Sequence, residues 1–409
     1  MNLIRWIGAL ALVVMAGCGG EPAPASGDAV QGAALDAAGS TVEVEQRGVT
    51  DTEIVVGSYT DFSGATAIWG VGSINAARTR IDEQNTKGGV HGRQIRFVVE
   101  DTQYQVPRAI QAANKLIHRD NIFAMLLSVG TPLNNAVMPQ QFEAGVPNLF
   151  PITGARSVIE PFHRFKFTQR GIYYDEVRAA VKYFIEQKGA QNVCSIYQDS
   201  DYGKEILSGT QDQLKDMGRT MAATSAHKPT ETEFTAAILR LREAKCDLVL
   251  MGTVHRDTIL VLEAARKMGW TGVSWVGNNA AYAQVIADHE AGEGYYAFVH
   301  MANLYADDPK SPEVQAWWDA YVERYSEDPG LAAMEGYRAA DLMILAMEKA
   351  GRNLTTDALV TAIESIADYT DIFGYRIQFG PERHSGAKES VLSQVQNKRW
   401  VKLDQAITY

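Results

Sequence analysis

Strand-like and helix-like runs alternate along this chain in two tandem blocks, and that order constrains its fold more than any other feature. Glu53 to Tyr59 reads as a strand. A helix carrying Ile74, Ala77 and Ile81 on one face follows, stopped by Gly88 and Gly89, and Ile95 to Glu100 reads as a second strand. Pro107 opens another helix with Ala109, Ile110, Ala113, Leu116 and Ile117 on one stripe, and Phe123 to Leu127 makes a third strand. A β-α-β-α-β order predicts a parallel sheet with helices on both faces, because short right-handed crossovers allow little else.

The pattern then restarts. A helix from about Tyr173 to Lys188 precedes the strand Val193 to Tyr197 and a helix from Gly203 to Met217. Thr230 and Glu233 have the spacing of a capping box for a helix that buries Phe234, Ile238 and Leu241. The strand Asp247 to Met251, the helix Asp257 to Met268 and the strand Ser274 to Gly277 complete the second block. Beyond Tyr295, Ser311 and Pro312 start a helix whose stripe of Val314, Trp317, Trp318, Tyr321 and Tyr325 reads as core. Two more helices run from Ala332 to Ala350 and from Thr356 to Ile366. The runs Tyr375 to Phe379 and Val391 to Val395 predict a closing β-hairpin. About 360 residues in this pattern exceed what one hydrophobic core sustains, so the expected class is α/β with two lobes.

The N-terminus speaks to compartment. Arg5 is followed by an apolar run from Ile7 to Met15, too short to span a bilayer, and then by Met15-Ala16-Gly17-Cys18. Small residues leading into a cysteine resemble a bacterial lipobox. Residues 1–17 are therefore expected to be a signal peptide and Cys18 the acylated first residue of the mature chain. Residues 18–48, rich in Ala, Gly, Ser and Pro, read as a flexible tether. The expected location is an extracytoplasmic membrane face, with the lipid on Cys18 as the membrane contact. A net charge of -11, without a long Lys or Arg run, argues against a nucleic-acid partner. With Cys18 set aside, Cys194 and Cys246 remain of the three cysteines; a disulfide and two reduced buried thiols are both open readings.

Catalytic signatures are missing from the sequence. The eight histidines form neither His-x-His nor His-Glu-x-x-His, and Asp288-His289-Glu290 lacks partners at ligand spacing, so no metal is expected. No Gly-x-Ser-x-Gly elbow occurs. Gly70-Val71-Gly72 lacks the third glycine and the preceding strand of a dinucleotide loop, so no cofactor is expected. These two glycines instead bring backbone close to a ligand or to a packed loop.

Ligands of open α/β sheets collect beyond the carboxyl ends of the strands. Ser63, Gly64 and Trp69 follow the first strand; Ser128, Gly130 and Thr131 follow the third; Pro151 to Gly154 follow a short apolar run. Asp201 and Tyr202, then His255, then Asn278 and Asn279 occupy such positions in the second block. Hydroxyls, amides, one large aromatic and exposed backbone donors suit the holding of a small polar solute.

Several segments, taken in order, resemble a known family. They are Ser63-Gly64 with Trp69-Gly70, Gly88-Gly89-Val90-His91-Gly92-Arg93 before Glu100-Asp101, and Gly145-Val146-Pro147 before Pro151. Asp201-Tyr202-Gly203 and Ala265-Arg266-Lys267-Met268-Gly269 before Val276-Gly277 continue the series. From about Glu53 to the C-terminus the chain is similar to the periplasmic solute-binding proteins of branched-chain amino-acid type that serve ABC importers. The resemblance implies a type I two-lobed clamshell, each lobe a parallel sheet flanked by helices, joined by three hinge crossings. Residues 49–168 plus 297–368 would form the first lobe and 169–296 plus 369–409 the second. It implies a small-molecule solute handed to an ABC permease with its ATPase, without catalysis; a ligand sensor for a membrane receptor and, more remotely, an exported enzyme are the alternatives.

Carried over by position, the resemblance implies a ligand set of Trp69, Ser128, Gly130, Thr131, Thr153, Gly154, Tyr202, His255 and Asn279. Two places depart from the amino-acid binders. Asn279 stands where an acidic residue would hold an α-ammonium, and Gly154 stands where a threonine would be, with Thr153 one residue earlier. Asparagine supplies no counter-charge for a buried ammonium. An amine-free carboxylate, including an aromatic one stacked on Trp69, fits these groups better than a branched-chain amino acid.

Overall fold

The computed structural model describes residues 46–387, 389–403 and 407; the expected leader, Cys18 and residues 19–45 of the expected tether lie outside them. A five-stranded sheet forms from β1 (Glu53–Thr60), β2 (Gln94–Asp101), β3 (Ala124–Leu126), β4 (Asn148–Leu149) and β5 (Lys166–Phe167), in the order β2-β1-β3-β4-β5 and wholly parallel. Interior strand β1 is buried from Ile54 to Thr60, as a strand covered on both faces must be. Helices α1 (Ala67–Thr86), α2 (Val106–Asn114) and α3 (Thr131–Glu143) provide its crossovers.

The second sheet takes β6 (Val193–Gln198), β7 (Ala223–His227), β8 (Leu248–Gly252), β9 (Ser274–Gly277) and β10 (Tyr296–Val299) in parallel. Helices α4 (Tyr173–Lys188), α5 (Asp201–Asp216), α6 (Thr235–Glu243), α7 (His255–Lys267) and the short α8 (Gln284–Asp288) belong to this half. The chain then supplies α9 (Pro312–Tyr325), α10 (Leu331–Ala350) and α11 (Thr356–Glu364). Helix α10 lies along α1 at close range: a Cβ at Gly336 would stand 2.0 Å from the Ser73 carbonyl oxygen, and one at Gly72 would stand 3.0 Å from the Ala332 methyl. A Cβ at Gly70 would meet the Asp61 carbonyl oxygen at 2.0 Å. Gly70 and Gly72 are thus accounted for by packing.

The tail departs from the hairpin that the sequence predicts. Strands β11 (Tyr369–Thr370) and β12 (Arg376–Ile377) pair with each other, whereas β13 (Val391–Gln396) joins β10 and β14 (Arg399–Lys402) as the antiparallel edge of the second sheet. Phe379 rests on Phe150 and Phe167, with ring centroids 5.7 and 5.9 Å apart. The segment after β12 therefore packs with the first sheet before the chain crosses back. The capping box is also absent: Glu233 accepts from the Thr235 amide and hydroxyl, and α6 starts without a side-chain cap, although Phe234, Ile238 and Leu241 are buried as expected. Ser311 does cap α9, accepting from the Val314 amide at 3.2 Å.

Cys194 on β6 and Cys246 just before β8 form a disulfide between neighbouring strands, with Cα atoms 5.9 Å apart and a sequence separation of 52. Closing a loop of that length removes enough unfolded-state entropy to stabilise the fold by about 3–4 kcal/mol. The double replacement Cys194→Ala and Cys246→Ala is expected to lower the unfolding free energy by about that amount. Urea titration of both proteins measures it, and a loss under about 1 kcal/mol would contradict the expectation.

Candidate ligand-binding cleft between the lobes

Three crossings between the halves run side by side. The first, from Thr168 to Ile172, bonds to the third: the Thr168 amide donates to the His384 carbonyl and the Gly386 amide to the Thr168 carbonyl. The second begins at His300, directly after β10. Thr168, Arg170, His300 and His384 of these crossings are buried.

The carboxyl ends of both sheets face a small cavity of about 20 Å³. Trp69 and Thr66 line it from α1 and its N-cap, Gly130 and Thr131 from the start of α3, Tyr173 and Tyr202 from α4 and α5, and Val129, Ile152 and Val254 supply apolar wall. Arg170 enters from the first crossing. Room for about one water molecule remains, so a solute seats only when the lobes part or the walls shift.

Arg170 governs the electrostatics. Its guanidinium is 1 % exposed and donates from Nη2 and Nε to Glu335 Oε2 at 2.5 and 3.2 Å. Its flat face lies 4.4 Å from the centroid of the Trp69 ring, and Nη1 reaches Asn279 Oδ1 at 3.4 Å. Burial works against the charge, but Glu335 beside it holds the guanidinium above its ordinary value. Burial would likewise raise Glu335, yet Arg170 and His300 overcome it and hold the carboxyl at about 2. His300, 2.9 Å from Glu335, is pushed down by burial to about 4 and is neutral at pH 7. Glu335 therefore stands behind Arg170 as its counter-ion, while no carboxylate lines the cavity among the described residues.

Asn279 belongs to this cluster and does not line the cavity. Its amide nitrogen Nδ2 donates to the Gly171 carbonyl at 2.9 Å and to Glu176 Oε1 at 2.8 Å, and its backbone N–H donates to Glu176 Oε2. Ser390 of the third crossing donates to the same Glu176 Oε1 at 2.7 Å. Burial pushes Glu176 up to about 7 against these hydrogen bonds. Asn279 is thus a fastener between the second lobe and the first crossing, with its side chain fully engaged.

The other expected ligand residues divide. Trp69, Gly130, Thr131 and Tyr202 come together on the cavity wall. Thr153 stands one step behind, its hydroxyl 2.7 Å from that of Thr131. Gly154 packs on Tyr173, where a Cβ would meet the ring at 2.9 Å. Ser128 is buried without lining the cavity, and its carbonyl accepts from Ile152 and Asn134. His255 begins α7, half-buried, and burial lowers its imidazole to about 4. Trp69 Nε1 donates across the cleft to the Ala280 carbonyl at 3.1 Å, so this indole latches the lobes. Arg170, Tyr104 and Tyr173 also line the cavity and escape a reading based on strand ends. Arg170 follows β5 by three residues, but a two-residue strand leaves no periodic signal.

A model of the periplasmic binding protein family matches residues 53–399. The chain belongs to that family. Among relatives of this periplasmic binding protein, the Leu/Ile/Val-binding protein homolog 7 of Brucella abortus is 26% identical over 313 residues, covering 73% of this chain and 77% of the relative. A fatty acid ABC transporter substrate-binding protein from Thermomonospora curvata superposes with a TM-score of 0.79 at 24% identity, covering 89% of this chain and 94% of its own. A branched chain amino acid ABC transporter protein from Thermus thermophilus with bound valine gives a TM-score of 0.78 at 18% identity, covering 88% and 98%. These likenesses establish the two-lobed type I architecture for this periplasmic binding protein.

Proposed function

We propose that this chain captures a monocarboxylate lacking an α-ammonium group and delivers it, without chemical change, to the permease of an ABC importer. One observation carries the reading: Arg170 is the one charged side chain lining the interlobe cavity among the described residues, and hydroxyls and apolar groups make up the rest. A buried guanidinium fork matches a carboxylate in shape and charge. An α-ammonium in the same space would find no carboxylate and would stand against Arg170. Relatives are named for both fatty-acid and branched-chain amino-acid solutes, and the charge pattern favours the first kind of chemistry.

Cys18 carries the membrane anchor in this reading, which keeps the binding domain beside its permease; an intact mass showing an unmodified N-terminus would contradict that part. Native mass spectrometry of the protein as purified tests the solute class. The expected adduct is a monocarboxylic acid, and a retained amino acid would overturn the proposal.

A further inference from the structure

A second space adjoins the cleft. An apolar groove of about 450 Å³ runs between α1 and the α9–α10 loop on one lobe and the segment around α8 on the other. Ile68, Val71, Tyr282, Val285 and Leu331 line it, and Trp69 lines both this groove and the Arg170 cavity. The indole is the shared wall. It is held by a hydrogen bond to Ala280 on one edge and by Arg170 on one face.

We infer that the solute is an extended acyl carboxylate whose head meets Arg170 and whose tail passes Trp69 into this groove. The inference rests on the carboxylate reading and adds the shape of the solute to it. Three observations support it. The groove on the far side of Trp69, at about 450 Å³, has a volume in the range of small-molecule sites. Ile68 and Val285, one from each lobe, expose 38% and 40% of their surface there, apolar area that a tail would cover. Glu327 and Asp328 also line the groove, so a carboxylate placed in it would be repelled; the orientation with the head at Arg170 is the favoured one.

Calorimetric titration with butanoate, hexanoate, octanoate and decanoate tests the inference, on the wild-type protein and on the double variant Ile68→Glu, Val285→Glu. Both positions are partly exposed, so the variant is expected to fold, and its melting temperature checks this. In the wild type each added methylene is expected to tighten binding by about two- to fourfold, the yield of burying a methylene fully or in part. In the variant the decanoate-to-butanoate ratio is expected to fall by about tenfold or more. Measurable butanoate binding with a flat chain-length series, or an unchanged ratio in the variant, overturns the inference and leaves the carboxylate reading standing. No binding by any of the four acids overturns both.

Discussion

Replacing Arg170 with methionine is expected to weaken carboxylate binding about a hundredfold or more, the scale of removing one partner from a desolvated, hydrogen-bonded charge pair. Methionine keeps much of the aliphatic stem beside Trp69 and removes only the fork, so the loss reports on charge and hydrogen bonding more than on packing. The single variant also leaves Glu335 buried without its cation, which weakens the fold for a reason unrelated to the ligand. The double variant Arg170→Met, Glu335→Gln separates the effects. It removes both charges together, and its stability is expected to lie close to that of the wild type while binding stays lost. Arg170→Lys keeps a charge without the planar fork, and an intermediate affinity is expected. Titration calorimetry with a short monocarboxylate reads all three; wild-type affinity in the double variant would remove Arg170 from the site.

The reverse single replacement, Glu335→Gln, is expected to cost about 3–5 kcal/mol of unfolding free energy, because it strands a buried guanidinium. Its dependence on pH has a definite sign. The Glu335 carboxyl is held at about 2 in the folded protein, below its ordinary 4.5, so its stabilisation is complete above pH 4.5 and is lost as pH falls toward 2. The difference between wild type and Glu335→Gln, measured by urea titration, should therefore be full at pH 5 to 7 and shrink below pH 4. The variant retains Arg170, so a bound carboxylate restores the missing counter-charge. Saturating monocarboxylate is expected to raise the melting temperature of the variant more than that of the wild type. An equal rise in both would mean that the ligand does not approach Arg170.

Much of this arrangement is legible from residues alone, for reasons that also mark where legibility stops. Long apolar strands such as β1 and β8 announce a parallel sheet buried on both faces, and the segments after β1, β3 and β6 bring Trp69, Gly130 with Thr131, and Tyr202 to the cleft. Strand β7, Ala-Thr-Ser-Ala-His at a sheet edge, shows no such pattern because only His227 of its five residues is buried. Arg170 is hidden for a different reason. It lies on a crossing between lobes, where neither period 2 nor period 3.6 applies, and its partner Glu335 is 165 residues away on α10. Distant pairing of this kind is set by tertiary packing. Asn279 illustrates the opposite hazard: its position after β9 marks it as a ligand residue, while the hydrogen-bonding capacity of its side chain is met by Gly171, Glu176 and Arg170.

A matched pair of ligands isolates one functional group, the α-ammonium. Leucine and 4-methylpentanoate share a carbon skeleton and a carboxylate and differ only in that group. Titrated side by side into the purified protein, 4-methylpentanoate is predicted to bind at least tenfold more tightly than leucine, because in the proposed reading Arg170 meets the carboxylate of each and no carboxylate among the described residues lines the cavity to balance the ammonium. Tighter binding of leucine would contradict the account.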